Sequence, residues 1–364
     1  MLALTTDLRT DRLTRLRTRC AADGLDGVIL ARPQNVAYIS GFAGSAGFAV
    51  VTARDAHLVL DFRYIEQAAS QAPHFTRVRA RGPLPDAVAA LMKELGVRRV
   101  GVEEEFLPVG TFRRLAEAAA PVEIVPVAGL DRLRWQKSPE EVAAIRRAAQ
   151  VAADAFADVL PLIRPGVVER EIAVTLEERL RRRGSQRVPF DTIVASGPRS
   201  ALPHGSADDR VIGPGEFVTV DFGAAVDGYH ADCTRTLVTA PAGDRHREIY
   251  ALVLAAQQAA LSGLRAGTTG KDADALARSV IEQAGYGEAF GHSLGHGVGL
   301  ALHEGPTLSP REEAVLPPGA VVTVEPGIYL PGWGGVRIED VAVLTESGCE
   351  VLTPLPRDLI EVAP

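Results

Sequence analysis

Four stretches of this sequence place carboxylates or histidines among strand-like patterns and glycines. They are VTVDFGAAVDGYHADCTRTLVT at 218–239, GHSLGHGVGLALHE at 291–304, VVTVEPGIYL at 321–330 and GGVRIEDVAVL at 334–344. Carboxylate oxygens and imidazole nitrogens are donors that hard and borderline divalent cations prefer. The residue types therefore point to metal-assisted chemistry in the C-terminal half of the chain.

The first stretch predicts a β-hairpin, because two alternating runs flank Asp227-Gly228, a favoured two-residue turn. In that register Asp221 faces Thr234, and Asp232 faces Gly223. Side chains alternate along a strand, so the two aspartates are diagonal neighbours on one face. Carboxylates that close repel each other unless a cation compensates. The hairpin alone leaves open that both simply lie on a solvated face.

The second stretch holds three of the eight histidines, His292, His296 and His303. Its dense glycines make a helix improbable there and permit close backbone approach. A lone histidine most often has a structural role, but three in one glycine-rich segment favour a site. His230, on the same hairpin face as the aspartates, is a possible extra ligand, which we interpret as an ordinary polar residue near the turn.

The third and fourth stretches each combine an apolar strand with charge. Glu325 ends one strand before Pro326-Gly327, and a charge that ends a buried strand needs a partner. Arg337 and Glu339 share one face of the other strand. The alternatives are a glutamate turning into solvent and a surface Arg–Glu pair.

Taken together, these stretches supply four carboxylates and one imidazole. The expected ligands are Asp221, Asp232, His296, Glu325 and Glu339. Four carboxylates exceed the need of one ion, whereas a pair of ions about 3.5–4 Å apart uses them all. Such a pair activates a water and polarises a carbonyl, which is the chemistry of peptide or amide hydrolysis. The donors suit Mn, Co, Fe or Zn.

Residues 291–295, Gly-His-Ser-Leu-Gly, also match the G-x-S-x-G elbow of serine hydrolases. That fold requires the chain order Ser, acid, His, but no Asp or Glu lies between Ser293 and His296 or His303. Glycines replace the helix that should follow. We therefore reject a serine hydrolase, and the same glycines do not form the G-x-G-x-x-G dinucleotide fingerprint.

The elements that must position these residues predict two domains. Residues 1–130 alternate helices and strands as an α/β domain, with strands predicted over 27–31, 47–52, 57–61, 99–102 and 122–127, and helices over 7–22, 84–95 and 109–119. Residues 136–364 form an α+β domain that begins at a capping box, Ser138 to Glu141. Its helices, predicted over 139–160, 169–183, 245–264 and 271–284, are expected to pack on one curved antiparallel sheet.

Composition limits the remaining possibilities. The 364 residues are 46% hydrophobic and 23% charged, with a net charge of −7, which is ordinary for a globular protein and argues against nucleic acid as a partner. Three scattered cysteines, Cys20, Cys233 and Cys349, exclude a disulfide framework and a thiolate zinc site. Neither a signal peptide nor a membrane span is predicted, so we expect a cytoplasmic protein.

The order Asp, Asp, His, Glu, Glu within VDFGAAVDGYHAD, GHSLGHGVGL, VEPGIY and VRIED resembles the pita-bread (creatinase-fold) metallopeptidases, which include methionine aminopeptidase, aminopeptidase P and prolidase. The resemblance covers residues 136–350. The extra α/β domain is similar to the creatinase-type N-terminal domain of the aminopeptidase P and prolidase branch. Its segments GFAGSAGFAVVT and LVLDFRYIEQA are more similar to aminopeptidase P.

The resemblance implies a role for each site residue. Asp221 chelates one ion, His296 and Glu325 chelate the other, and Asp232 and Glu339 bridge both. Glu325 also takes a proton from the attacking water.

Four further residues match family positions. His204, in FDTIVASGPRSALPHG, contacts the substrate beside the scissile bond. His303 stabilises the oxyanion, and His292 lines the proline subsite. Arg337 supports the metal carboxylates. Creatinase lacks the ligands, whereas this chain keeps all five, which argues against an inactive relative.

The implied activity is that of a dinuclear metallo-exopeptidase that removes the residue before proline, with manganese as the expected metal and cobalt, zinc or iron as alternatives. Aminopeptidase P is the first choice. Prolidase, which cleaves only Xaa-Pro dipeptides, is the alternative. A broad-specificity aminopeptidase and a non-catalytic peptide-binding relative are weaker candidates. The expected partners are short proline-containing peptides, and the family implies a homodimer.

Overall fold

The computed structural model describes residues 6–363. The chain separates into two compact units, the first ending at Arg134 and the second beginning at Trp135. Within the described range, no helix is long and apolar enough to cross a membrane.

The first unit is an α/β domain with a mixed six-stranded sheet. Its helices are α1 (Thr6–Ala22), α2 (Pro33–Ser40), α3 (Ile65–Gln71), α4 (Leu84–Glu94) and α5 (Val109–Ala119), and its strands are β1 (Gly27–Leu30), β2 (Phe48–Thr52), β3 (Ala56–Leu60), β4 (Thr76–Arg79), β5 (Arg99–Glu103) and β6 (Glu123–Val127). The sheet order is β4-β3-β2-β1-β5-β6. Strands β1 to β3 pair antiparallel, and the other neighbours pair parallel.

The sequence predicted most of these elements and missed three short ones, α2, α3 and β4. Helix α2 begins at Pro33, and the side chain of its N-cap residue, Arg32, makes no capping hydrogen bond. The buried carboxylate of Glu103, at the end of β5, instead accepts hydrogen bonds from the amides of Ala31 at 2.5 Å and Arg32 at 2.7 Å. Glu103 thus holds the segment that leads into α2 from about 70 residues away, and such a contact leaves no local start pattern in the sequence.

The second unit contains the remaining elements. Its helices are α6 (Pro139–Val159), α7 (Glu169–Arg182), α8 (Asp244–Gly263) and α9 (Gly270–Gln283), and its strands are β7 (Ile193–Ser196), β8 (Phe217–Val226), β9 (Tyr229–Thr239), β10 (Gly295–Gly297), β11 (Glu304–Leu308), β12 (Val321–Val324), β13 (Gly327–Leu330), β14 (Gly334–Arg337), β15 (Asp340–Leu344), β16 (Cys349–Val351) and β17 (Ile360–Val362). The predicted capping box is confirmed: the Ser138 hydroxyl accepts from the Glu141 amide, and the Glu141 carboxylate accepts from the Ser138 amide at 2.8 Å.

The expectation of one antiparallel sheet in this unit is wrong. The strands form three sheets, ordered β17-β9-β8-β7, β11-β10-β12-β15-β16 and β13-β14, and β17 pairs parallel to β9. The ladder breaks at Pro326, which has no amide hydrogen to donate. It breaks again between Arg337 and Asp340, where the Glu339 amide turns to the Thr234 carbonyl at 3.1 Å.

Two helical layers cover the sheets. Helices α6 and α7 pack on β8 and β9 through a core that includes Phe156, Leu176 and Phe222. Helices α8 and α9 pack on β12 and its neighbours through a second core that includes Val253 and Val322. Each helix pair therefore leaves the opposite side of its strands free for other contacts.

The predicted hairpin register is confirmed. Strands β8 and β9 pair with Asp221 opposite Thr234, Gly223 opposite Asp232 and Val226 opposite Tyr229. The turn residues Asp227 and Gly228 have φ values of 53° and 85°, as a two-residue turn with both central residues left-handed requires.

Replacing Gly228 with alanine tests how much this turn contributes. A side chain at φ 85° is strained, so we expect Gly228→Ala to lower the stability by about 1–2 kcal/mol and the Tm by about 2–8 °C. Thermal unfolding followed by circular dichroism measures it. Gly348→Ala is the matched control, because an added Cβ there meets nothing within 4 Å and its φ is not positive. Equal shifts in both variants would contradict the turn assignment.

Candidate metal centre

All nine predicted site residues line one cavity of about 500 Å³ in the second unit. They are His204, Asp221, Asp232, His292, His296, His303, Glu325, Arg337 and Glu339. The sequence places them up to 135 positions apart, so only the fold can bring them together.

The two aspartates reach the cavity because of strand alternation. Val220 and Phe222 in β8, and Cys233 in β9, belong to the core beneath α6 and α7. Side chains on either side of them along the strand point the opposite way. Asp221 and Asp232 therefore project away from the helices, and one carboxylate oxygen of each lies within 4.8 Å of the other and of a Glu339 oxygen.

The two glutamates stand at the breaks between the sheets. Glu325 follows the last residue of β12, and its amide donates to the Leu294 carbonyl at 2.9 Å. Glu339 lies between β14 and β15, where its carboxylate accepts a hydrogen bond from the Thr234 hydroxyl at 2.7 Å. A strand ending at each point turns the carboxylate toward the cavity.

His296 enters from β10 with one nitrogen available. Its Nδ1 lies 3.0 Å from the Gly297 carbonyl, which can only accept, so Nδ1 carries the hydrogen. The lone pair is then on Nε2, which lies 3.7 Å from Asp232 and 3.5 Å from Glu325. A Cβ at Gly295 would collide with the Thr323 backbone, so this close strand approach requires glycine.

The electrostatics of the cavity are unbalanced. Burial raises the pKa of Asp232 and of Glu339 well above the usual range, and repulsion from neighbouring carboxylates adds to the effect. Burial also raises the pKa of Glu325. Arg337 carries the one guanidinium among the lining residues in the described part of the chain, with Nη2 2.7 Å from Asp221. One guanidinium cannot neutralise four carboxylates.

The donor set fits divalent cations. Three overlapping groups have ligand atoms within 4.8 Å of one another: Asp221, Asp232 and Glu339; His296, Glu325 and Glu339; and Asp232, His296 and His303. In addition, Asp221 Oδ1 is buried and has no hydrogen-bond partner among residues 6–363. A buried oxygen without a partner needs a compensating group, and a cation supplies one.

The remaining histidines differ in their surroundings. His292 Nε2 lies 2.9 Å from the Tyr329 hydroxyl, whereas the exposed His204 and His303 face the cavity. His303 packs edge-on against His296, with ring centroids 4.2 Å apart. His230 is buried and turns to the Gly299 carbonyl at 3.0 Å, outside the convergent groups.

Sequence reasoning missed three side chains that hold the site residues. Thr234 donates to Glu339, as described above, and accepts from Arg337 Nε at 3.0 Å. The Thr323 hydroxyl donates to Glu325 at 3.0 Å. The Tyr329 hydroxyl connects His292 to Arg337, 2.9 Å from Nη1. The hairpin register, which puts Thr234 opposite Asp221, gave a usable indication for Thr234, but the other two had none.

The serine-hydrolase alternative gains no support. Ser293 is exposed at the cavity edge, and within residues 6–363 no hydrogen bond joins its hydroxyl to a histidine. His292 Nδ1 instead lies 2.8 Å from the Ser293 carbonyl. The nucleophile–base pair that such an enzyme requires is not assembled in the described part of the chain.

Comparisons with known proteins agree with this geometry. A model described as metallopeptidase family M24 matches residues 143–346, and one described as the creatinase/prolidase N-terminal domain matches residues 12–136. An Xaa-Pro dipeptidase of Pyrococcus horikoshii is 38% identical over 356 residues, which cover 97% of this chain and 100% of that protein.

Solved structures are similar over nearly the whole chain. An Xaa-Pro dipeptidase from Bacillus anthracis has a TM-score of 0.94 and 44% identity, and an X-Pro aminopeptidase from Thermotoga maritima has a TM-score of 0.88 and 39% identity. Each match covers 97% of this chain and 100% of the other. The predicted fold class, a pita-bread domain with a smaller N-terminal α/β domain, is confirmed.

Repulsion among the carboxylates predicts that removing metal reverses the order of stability of the wild-type chain and the Asp232→Asn variant. In metal-free protein the raised pKa of Asp232 means that the folded state holds a proton that the unfolded chain releases near pH 4. Stability from this group is therefore lost as pH rises from about 4 through the folded pKa. Asp232→Asn removes the charge, so without metal the variant should gain stability relative to the wild-type chain as pH rises.

Adding a divalent cation should reverse that order, because only the wild-type chain keeps the full donor set. A cation at 100 times its Kd adds about 2.7 kcal/mol. Tm measured from pH 4 to 8, with EDTA or with MnCl₂, tests this. Burial lowers the pKa of His292 and His296, which makes the stability of both chains rise with pH. The difference in Tm between the two chains removes this shared effect. A variant less stable than wild-type at every pH in EDTA would contradict the repulsion argument.

Proposed function

The chain belongs to metallopeptidase family M24, an enzyme family of metallo-exopeptidases, and from this premise we propose that it is an Xaa-Pro dipeptidase. The observation that carries the proposal is the convergence of four carboxylates and His296 in one cavity. The substrate class comes from the Pyrococcus horikoshii relative, which matches over nearly the whole chain, and from the Bacillus anthracis structure, both Xaa-Pro dipeptidases.

This choice corrects the order of preference that the sequence suggested. Aminopeptidase P came first there, and the names of the relatives favour its alternative, the dipeptidase. Aminopeptidase activity remains the second candidate because of the Thermotoga maritima structure. One feature of the cavity also favours it: among the described lining residues Arg337 is the only Arg or Lys, and its guanidinium is bonded to Asp221 and Tyr329. A dipeptide's carboxylate would need another donor.

We propose that Asp221, Asp232, His296, Glu325 and Glu339 hold two divalent cations, with manganese as the first choice. When bound, the cations supply Lewis acidity to the scissile carbonyl and to the attacking water. The carboxylate and imidazole donors suit this class of metal without selecting one member of it.

The protein groups around the metals have distinct tasks in this proposal. Glu325, oriented by the Thr323 hydroxyl, takes the proton of the attacking water and returns it to the proline nitrogen as the C–N bond breaks. Its burial raises its pKa, which suits a base that must also act as an acid. His303 donates to the developing oxyanion and His204 contacts the substrate beside the scissile bond. Burial lowers the pKa of His303, so the imidazole is neutral and still donates one N–H.

The tertiary amide before proline explains why such a cavity is useful. That bond has no N–H, and the ring restrains the preceding residue, so proteases that bind an extended, hydrogen-bonded chain fail on it. A metal site that polarises the scissile carbonyl does not depend on the missing hydrogen bond. His292, held by Tyr329, is the proposed wall of the proline subsite.

Several further expectations remain predictions. They are a homodimer, a cytoplasmic location, and a division of labour in which residues 136–364 carry catalysis and residues 1–130 form a creatinase-type N-terminal domain.

Three substrates separate the two candidate activities. With MnCl₂ present, a dipeptidase should cleave Met-Pro at least tenfold faster, as kcat/KM, than Met-Pro-Ala or Met-Pro-amide, because the last two lack the carboxylate next to proline. An aminopeptidase should cleave Met-Pro-Ala best. Product release is measured by chromatography of free methionine. Preference for the tripeptide would overturn the dipeptidase proposal and leave the family unchanged.

Two variants separate the metal mechanism from the serine alternative. Asp221→Asn should reduce kcat by about 10²-fold or more and weaken metal binding, because it removes a donor and frees Arg337. Ser293→Ala should change kcat little, and EDTA should abolish turnover of both the wild-type chain and this variant. Inactivation by Ser293→Ala together with resistance to EDTA would contradict the proposal.

A further inference from the structure

We propose that Asp191 forms a cation-binding subsite at this cavity, which favours substrates whose N-terminal residue is lysine or arginine. The inference rests on the proposed function and narrows its substrate class. It concerns the side chain before the scissile bond, not the reacting atoms.

Asp191 lines the cavity but belongs to none of the three groups of possible metal ligands. Five carboxylates line the cavity, and four of them belong to the convergent groups described above. Asp191 does not, although it lies two residues before Ile193, which pairs with Asp221 across β7 and β8. The subsite therefore lies beside the metal centre without belonging to it.

The carboxylate of Asp191 has no protein partner to satisfy it. The residue is exposed, and within residues 6–363 no hydrogen bond or ion pair involves its side chain. By contrast, the lining guanidinium of Arg337 is fully engaged with Asp221, Tyr329 and Thr234. The unused charge at the cavity is thus negative.

The local charge at Asp191 leads to the same conclusion. A cationic substrate side chain next to Asp191 keeps its charge compensated, whereas an anionic one would meet a like charge. The cavity should therefore discriminate against an N-terminal Asp or Glu as well.

The surfaces beside Asp191 suit the rest of a long basic side chain. Phe190, Ile193 and Leu302 line the same cavity. Ile193 is buried, and the other two are half-buried. Lysine and arginine cover apolar surface with their methylene stems and keep the charged end near water or a carboxylate. A carboxylate and apolar side chains that line one cavity match both parts.

The expected size of the effect is modest because Asp191 is exposed. Ion pairs at exposed positions change an equilibrium by up to about fivefold. We therefore expect the wild-type chain to prefer Lys-Pro over norleucyl-Pro, its neutral counterpart of similar shape, by about fivefold in kcat/KM. The preference should shrink between 0.05 and 0.5 M NaCl as salt screens the pair.

The test measures that ratio in metal-loaded variants. Asp191→Asn should bring the ratio close to one, lowering kcat/KM for Lys-Pro about fivefold more than for norleucyl-Pro, and Asp191→Glu should retain part of the preference. Glu288→Gln, which removes an exposed carboxylate away from this cavity, should leave the ratio as in the wild-type chain.

The other possible outcomes separate a failure of the Asp191 subsite from a failure of the dipeptidase proposal. The subsite is overturned if the wild-type chain cleaves both dipeptides with a ratio near one, or if Asp191→Asn loses activity equally on both. Either result leaves the dipeptidase proposal standing. If neither dipeptide is turned over, the dipeptidase proposal is overturned, and the subsite as stated falls with it. This holds whether or not longer Xaa-Pro peptides are cleaved.

Discussion

Repulsion among four closely spaced carboxylates, two buried and two part-buried, is the constraint on which the second unit depends. Asp221, Asp232 and Glu339 offer oxygens within 4.8 Å of one another, and Glu325 shares a second group with Glu339. Two unit charges about 4 Å apart repel by about 4 kcal/mol at the effective dielectric constant near a protein surface. A fold that keeps such groups together without a strong compensating charge would be unstable. The raised pKa values of Asp232 and Glu339 express this cost.

The surrounding structure answers this constraint by holding each donor from behind. Strand alternation gives Asp221 and Asp232 a common side, and Thr234 and Arg337 bind the carboxylates from the protein side. The loop after His296 is held by a buried ion pair, Lys137 with Glu304 at 2.8 Å. Breaking a buried pair costs about 3–5 kcal/mol, so this loop has little freedom to move. Rigid support of this kind keeps the donors at the spacing that cations require.

The sequence predicted features that local chemistry determines. The Asp227-Gly228 turn fixed the hairpin register, and from it followed the shared face of Asp221 and Asp232. The capping box at Ser138 likewise marked the start of α6. In each case the informative residues lie within a few positions of the element that they define.

Features that depend on distant residues could not be predicted in this way. Glu103 holds the segment that leads into helix α2. The division into three sheets depends on where Glu339 meets Thr234 across more than 100 residues. Tyr329 has the same limitation, because its link between His292 and Arg337 exists only once β13 and β14 have paired. The nine cavity residues came from the motifs and the family resemblance together, and neither periodicity nor composition would have joined them.

Metal stoichiometry tests the central claim most directly. Purified protein, stripped with chelator, reloaded with manganese and freed of excess by gel filtration, is analysed by elemental mass spectrometry against protein concentration. The account predicts two ions per chain for the wild-type sequence and a clear loss for Asp232→Asn, since the family resemblance implies that this residue would bind both ions. Retention of no ion by the wild-type chain, or of two ions by the variant, would contradict the claim that these carboxylates converge to hold a pair of cations.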